Sequence, residues 1–183
     1  MPISEATYER VALEDPEGRW ELVCGRLRSK PGMTAAHYDA MRRLARRLIL
    51  RLDEGEYTVA TEGPRLWVSS GSYYLPDVCV IPRVFVEQKL REAPQRLEVY
   101  EDPMPLVVEV WSPSTGDYDV EEKLREYQRR GDLEIWLIHP YERTLAAWRR
   151  RPGGDYEQTV QRAGAVQPVA LPGVVIELER LFD

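Results

Sequence analysis

Glu109 interrupts an apolar run, Leu106-Val107-Val108-Glu109-Val110-Trp111, whose other members read as a buried β-strand. A lone carboxylate there is costly, because desolvation disfavours its ionised form by several kcal/mol unless a metal, a cation or hydrogen bonds compensate it. Upstream, Pro76-Asp77 opens a second apolar run, Val78-Cys79-Val80-Ile81, and downstream Lys123 lies in a charged helix. Two carboxylates and an ammonium can then converge on one site. With a main-chain carbonyl the carboxylates form an all-oxygen ligand set that suits Mg²⁺ or Mn²⁺ rather than zinc. Phosphodiester hydrolysis uses such a set directly: the metal offsets charge developing on the phosphate and lowers the pKa of its bound water, while a lysine orients the nucleophile or stabilises the pentavalent state. Glu21, flanked by Trp20 and Leu22 on a hairpin strand, could add a ligand or an acceptor behind it.

These residues meet only if their elements place them on one face. Along a strand side chains alternate, so Val107, Glu109 and Trp111 share one side and Leu106, Val108 and Val110 the other. Leu106 to Trp111, a Ser112-to-Gly116 loop, a helix from Asp117 to Arg130 ended by Gly131, and a strand from Glu134 to His139 make a β-loop-α-β unit. Such units form right-handed crossovers between parallel strands, which lays the helix against the sheet. In that helix Val120, Leu124 and Tyr127 form the apolar stripe, so Tyr127 is expected in the core and Lys123 borders the stripe. Asp119, four residues before Lys123, can pair with it; a surface ion pair worth about half a kcal/mol is the plain alternative. Asp77 starts a strand expected to join the same sheet.

Elsewhere the sequence predicts a helix from Ser4 to about Glu14 and a hairpin of Arg19 to Val23 with Arg26 to Lys30 around Cys24-Gly25. Thr34 can cap a long helix to about Asp53, with Met41, Leu44, Ala45, Leu48 and Leu52 inward. Arg42, Arg43, Arg46, Arg47 and Arg51 form its outer face, which is either simply solvated or able to touch phosphates. His37 at its start has ordinary uses in capping or packing, with a substrate contact as the alternative. Tyr57 to Thr61, Arg65 to Ser69 and Tyr73 to Ile81 read as an antiparallel meander. Pro82 to Pro103 reads as a surface excursion with a short helix around Val84 to Leu90, and Thr144 to Arg151, Tyr156 to Arg162 and Val174 to Ile176 as further strands. The five tryptophans are expected to pack the sheet.

At 183 residues one domain is the economical expectation: helix and hairpin over 1–33, a core over 34–140 and a β extension over 141–183. The first thirty residues contain no continuous apolar segment, so no signal or anchor is expected and a cytoplasmic location is the default. Cys24 and Cys79 have no metal-binding spacing and are assigned no chemistry. A net charge of −6 argues against coating nucleic acid by bulk electrostatics, while local basic patches remain open. Of 25 lysines plus arginines only Lys30, Lys89 and Lys123 are lysine, which draws attention to a lysine beside acidic ligands.

Glu21-Leu22-Val23-x-Gly25-x-Leu27, His37, Pro76-Asp77-Val78, Val107-Val108-Glu109-Val110-x-Ser112-Pro113-Ser114-Thr115, Asp119, Lys123, Tyr127 and Trp136-Leu137-Ile138-x-Pro140 together resemble the Uma-two family of restriction-endonuclease-like proteins, within the PD-(D/E)xK phosphodiesterase superfamily. The resemblance spans nearly the whole chain. It implies an α/β (α+β) fold with a central mixed sheet flanked by helices and additional antiparallel strands at both ends. It also implies Asp77, Glu109 and the Val110 carbonyl as metal ligands, with Glu21 near the site. The superfamily's lysine stands two residues after the acidic ligand; here that position is Trp111, and the resemblance moves the lysine to Lys123. His139 stands where relatives tend to have Asp.

The leading reading is a Mg²⁺- or Mn²⁺-dependent nuclease acting on DNA, with Asp77, Glu109 and Lys123 catalytic and a homodimer as an open possibility. Another class is an endonuclease-like scaffold that binds nucleic acid or a protein without cutting. A third is a structural oligomer joined through the strands from Thr144 onward.

Overall fold

The computed structural model describes residues 2–69, 71–114 and 116–183, with the side chains of Ser69 and of residues 116–119 outside the description. Helix α1 (Glu5–Glu14) is capped by Ser4, whose Oγ accepts from Thr7 N at 3.2 Å. A single turn of 3₁₀ helix then leads into the hairpin of β1 (Trp20–Val23) and β2 (Arg26–Ser29). Cys24 and Gly25 have φ of 48° and 74°, the doubly left-handed turn that matches strand twist. Only glycine fits the second position, since a Cβ there would lie 2.5 Å from that of Pro2.

Helix α2 (Ala35–Ile49) begins as the Thr34 cap requires but stops short of Asp53. Its last turn tightens: Arg51 and Leu52 both bond back to Leu48 O, which folds partly buried Leu52 onto the core. Then come β3 (Tyr57–Thr61), β4 (Arg65–Ser69), β5 (Ser72–Tyr74), β6 (Val78–Pro82), α3 (Arg83–Glu92) and β7 (Val99–Tyr100). The crossover unit follows as β8 (Leu106–Val110), α4 (Gly116–Arg130) and β9 (Glu134–His139). The chain closes with β10 (Thr144–Arg150), β11 (Tyr156–Gln161), β12 (Ala165–Val166), β13 (Ile176–Glu177) and α5 (Glu179–Phe182).

The strands form two principal sheets rather than one. The larger runs β11-β10-β9-β8-β6-β3, with β8 and β9 parallel and its other pairs antiparallel; the smaller runs β2-β1-β5-β4-β7. The expected meander is therefore corrected: β3 pairs β6 in the large sheet, whereas β4 pairs β5 in the small one. Val59 packs against the core under α2 and Ala60 against the core on the other side, so β3 satisfies both faces only at the large sheet's edge. Glu62, at φ 52° and ion-paired to Arg19, turns the chain from one sheet to the other.

Two cores follow from the alternation along β6 and β8. Val78, Val80, Leu106, Val108 and Val110 face α2 and the C-terminal segment, where Val166, Ile176, Leu178 and Leu181 close the layer. Cys79, Ile81 and Val107 face the opposite way, toward Leu66, Tyr74, Tyr100 and Tyr127 of the small sheet and α4. All five residues of β8 are buried, each apolar one worth about 1.5–3 kcal/mol relative to exposure. The fold is thus α/β with a mixed sheet flanked by helices. Short α5 and β7 carry too few residues for a periodic signal, and only their packing defines them.

Candidate functional site

Strand register brings the carboxylates together. Val78 pairs with Val108 across β6 and β8, so one step further the same register sets Asp77 across from Glu109, with Asp77 N donating to Val108 O at 3.1 Å. Both side chains lie on the face of Val107 and Cys79. Like charges directly opposite repel, and the structure answers with buried cations on either side.

Asp77 Oδ1 lies 2.6 Å from Lys30 Nζ and 3.2 Å from His37 Nε2, while Oδ2 accepts from Val110 N at 2.7 Å. Lys30 Nζ also donates to Leu75 O at 2.8 Å, in the link between β5 and β6. On the other side Lys123 Nζ is 2.8 Å from Glu21 Oε1 and 3.5 Å from Glu109 Oε1, and it stands over the ring of Tyr74. Tyr127 OH donates to Glu109 Oε1 at 2.7 Å, and Leu75 N donates to Glu21 Oε1 at 2.9 Å. The cluster therefore sits where the chain crosses from the small sheet to the large one. Glu21 and Lys30 come from the first hairpin, His37 from the first turn of α2, Lys123 and Tyr127 from α4.

Environment pulls the two acids apart. Burial pushes Asp77 up, but the Lys30 ammonium and the nearby His37 imidazole outweigh it and hold the carboxyl well below the usual range. Burial lifts Glu109 to about 7, with Asp77 and Glu21 adding to the rise and Lys123 and Lys30 opposing it. Glu109 is also the most open of the group, its side chain 10% exposed against 1–4% for Asp77, Glu21, Lys30 and Lys123. His37 is buried, and neither ring nitrogen has a partner of hydrogen-bond geometry despite the 3.2 Å approach to Asp77.

The expected residues are thus largely convergent: Asp77, Glu109, Lys123, Glu21 and His37 meet in one place. Val110 contributes an N–H to Asp77. Asp119 lies outside the described side chains, and the partners described for Lys123 are Glu21 and Glu109. Lys30 was not anticipated, although its rarity as a lysine was a signal, and Tyr127 is not merely core. Trp111 is not sheet packing either: it stacks on His139 with ring centroids 4.3 Å apart, and Tyr141, beside them, donates to Thr34 Oγ1 at 2.8 Å.

The two carboxylates and the main-chain oxygens beside them are hard oxygen donors, the kind that Mg²⁺ or Mn²⁺ takes. Among the described residues no three His, Cys, Asp or Glu side chains are grouped to hold a metal, so a metal here would draw on the two facing carboxylates and main-chain or solvent oxygens. Burial is the largest cause of the rise at Glu109, and the Lys123 and Lys30 ammoniums offset it only in part. The cysteines are free, Cys79 buried and Cys24 exposed, and no described helix is long and apolar enough to cross a membrane.

Together the mixed sheet and its crossover helix define an α/β protein in which two carboxylates face each other across neighbouring strands. The chain matches the family described as "Uma2: Putative restriction endonuclease" over residues 6–179, and it belongs to that family. It is similar to the uncharacterized protein sll1609 of Synechocystis sp. (strain ATCC 27184 / PCC 6803 / Kazusa), 29% identical over 119 residues; the match spans 64% of this chain and 64% of that protein's length. Its fold resembles that of a crystal structure titled as a "putative nuclease belonging to DUF820" from Anabaena variabilis ATCC 29413. That likeness has a TM-score of 0.74 at 18% identity and covers 91% of this chain and 90% of that one.

Proposed function

We propose that the protein is a metal-dependent nuclease that hydrolyses phosphodiester bonds in DNA. The observation that carries this reading is the register-fixed pair Asp77 and Glu109, facing each other between two buried lysines. Asp77, Glu109 and the Val110 carbonyl would hold Mg²⁺ or Mn²⁺, which when bound supplies a water of lowered pKa and positive charge beside the phosphate. Lys123 holds Glu109 and Glu21 in place and presents an ammonium beside the more open carboxylate, where it can orient a nucleophile or meet charge growing on the phosphate. Tyr127 fixes the Glu109 rotamer from behind. Because Lys123 reaches Glu109 from α4, a lysine at position 111 is not required for this contact, and Trp111 is free to stack with His139.

A specific observation favours a second reading, a scaffold that binds nucleic acid without cutting it. Asp77 already has Lys30, His37 and Val110 N within 3.2 Å, so its oxygens are engaged before any ion arrives. The deciding experiment incubates plasmid, linear and single-stranded DNA with Mg²⁺ or Mn²⁺, comparing wild type with Asp77→Ala. Cleavage by wild type and its loss in the variant support the nuclease. Equal cleavage by both, or none by wild type with either metal, rejects it.

A further inference from the structure

The outer face of α2 is strongly basic although the chain as a whole is acidic. Between Met41 and Leu52 the sequence holds five arginines and no acid. Asp39 alone answers them, 3.1 Å from Arg42 and 2.5 Å from Arg43. Arg46, Arg47 and Arg51 have no carboxylate partner among the described residues; Arg47 instead donates to Arg43 O at 3.0 Å and Arg51 to Arg47 O at 3.4 Å. Each guanidinium carries five N–H donors, so lying along the helix in this way leaves most of them unused.

A second element adjoins this face. Arg180 of α5, itself ion-paired to Glu177, is brought alongside, with Arg43 donating to its carbonyl at 3.5 Å. Burial, then the charges of Arg43, Arg180, Arg51 and Arg46, lower the pKa of Arg47, so these cations repel one another. Asp53, Glu54 and Glu56 follow in sequence, yet no ion pair between them and these arginines occurs among the described residues, and Asp53 accepts from Gly55 N at 2.8 Å. The negative end of the helix dipole favours Arg46 and Arg47 in the last turn. Arg42 and Arg43, farther from that end, share Asp39, and Arg180 has Glu177. A solvated face would ordinarily alternate its charges along the helix.

The same helix begins at the carboxylate cluster. His37, in its first turn, points a ring nitrogen at Asp77, and Arg47 lies ten residues on, about 15 Å along the axis. That is roughly four to five base-pair steps of a duplex at ~3.4 Å each. Tyr38, half exposed beneath Arg42, and the shallow hollow of about 310 Å³ between α2 and β3 lie along this face.

We propose that the outer face of α2 from Arg42 to Arg51, with Arg180 beside it, is a docking surface for the sugar-phosphate backbone of duplex DNA. The surface reads charge and not base sequence, so binding through it is independent of sequence and strongly salt-dependent.

The test measures binding of a short fluorescent duplex by anisotropy in chelator, where no cleavage occurs, over a range of salt. Wild type is compared with R46A/R47A/R51A and with R46K/R47K/R51K. The alanine variant is expected to bind at least tenfold more weakly, with the slope of log K against log salt reduced by roughly two to three units, about 0.9 per phosphate contact removed. The lysine variant is expected to retain both. Hydrolysis of a small diester such as bis(p-nitrophenyl) phosphate is expected to be unchanged in either variant, because it does not need the docking face. An alanine variant that folds by circular dichroism yet keeps the wild-type slope overturns the proposal. So does competition in which polyglutamate displaces the duplex as well as unlabelled DNA does. Arginine-dependent binding without cleavage under any metal leaves the docking face standing and rejects the nuclease; cleavage with an unchanged slope does the reverse.

Discussion

Replacing Lys30 with methionine removes the ammonium from Asp77 while keeping most of the side chain's bulk. The pair is 2.6 Å apart with side chains 4% and 1% exposed, so water cannot take the place of the lost cation. Removing one partner of a buried ion pair costs about 3–5 kcal/mol. Asp77 keeps the Val110 N–H, which places the expectation near the lower end, about 3 kcal/mol out of the roughly 5–15 kcal/mol that holds a domain folded. Asp77→Asn leaves Lys30 unpaired instead, and the double variant K30M/D77N should cost less than the sum of the two by about 2 kcal/mol. Urea unfolding followed by circular dichroism, in chelator, measures all three. Asp77's folded pKa is depressed, so in wild type the pair contributes stability above the ordinary carboxylate range and loses it as pH falls. Without Lys30, burial raises that carboxyl, so the deficit of K30M is greatest near neutral pH and shrinks on acidification toward about pH 4. An ion bound at a hundred times its Kd adds about 2.7 kcal/mol. Mg²⁺ is expected to stabilise K30M more than wild type, because no ammonium then competes for Oδ1. A loss below about 1 kcal/mol at neutral pH, against the figure expected for a buried pair, would refute the reasoning. A deficit indifferent to pH would do the same.

Glu109 carries the opposite sign. Its folded pKa is raised to about 7, so the native state holds a proton that the unfolded chain releases near 4.5, and stability falls as pH rises through that window. The fall is on the order of 2–3 kcal/mol in metal-free protein and should vanish in Glu109→Gln, as read from denaturation midpoints at each pH. Tyr127→Phe deletes the donor to Glu109 Oε1 and is expected to cost about 1–3 kcal/mol in urea unfolding. Lys123→Met leaves Glu21 and Glu109 facing each other without their cation; loss of DNA cleavage with wild-type duplex binding in the anisotropy assay is the expected split. Arg130, buried on Asp132 and on carbonyls of Trp67 and Tyr100, is a control: Arg130→Met should cost about 3–5 kcal/mol, and Mg²⁺ should recover none of it in a thermal melt.

The sequence by itself determined what is local or periodic. The Ser4 and Thr34 caps, the Cys24-Gly25 turn, the stripe of α2 and the crossover of β8, α4 and β9 all rest on residues within a few positions of one another, where capping, φ preference and hydrophobic period act directly. The anomaly of Glu109 in an apolar strand was legible for the same reason, since an acid in a buried run must have compensation. Tertiary structure alone decided what that compensation is. The split into two sheets depends on which strands find partners, and β3 and β4 look alike until Val59 and Ala60 each have a core to face. Lys30 lies 47 residues from Asp77, and Tyr127 lies 18 from Glu109, separations over which no periodic signal runs. Whether a buried charge is stabilised or strained depends on distances of a few ångströms between such partners, because the Coulomb term and the desolvation cost are both large and nearly cancel. Asp77 and Glu109 are nearly equivalent as letters in a chain. Folding seats Asp77 2.6 Å from Lys30 and leaves Glu109 3.5 Å from Lys123, where the ammonium offsets burial only in part, and that difference separates their ionisation.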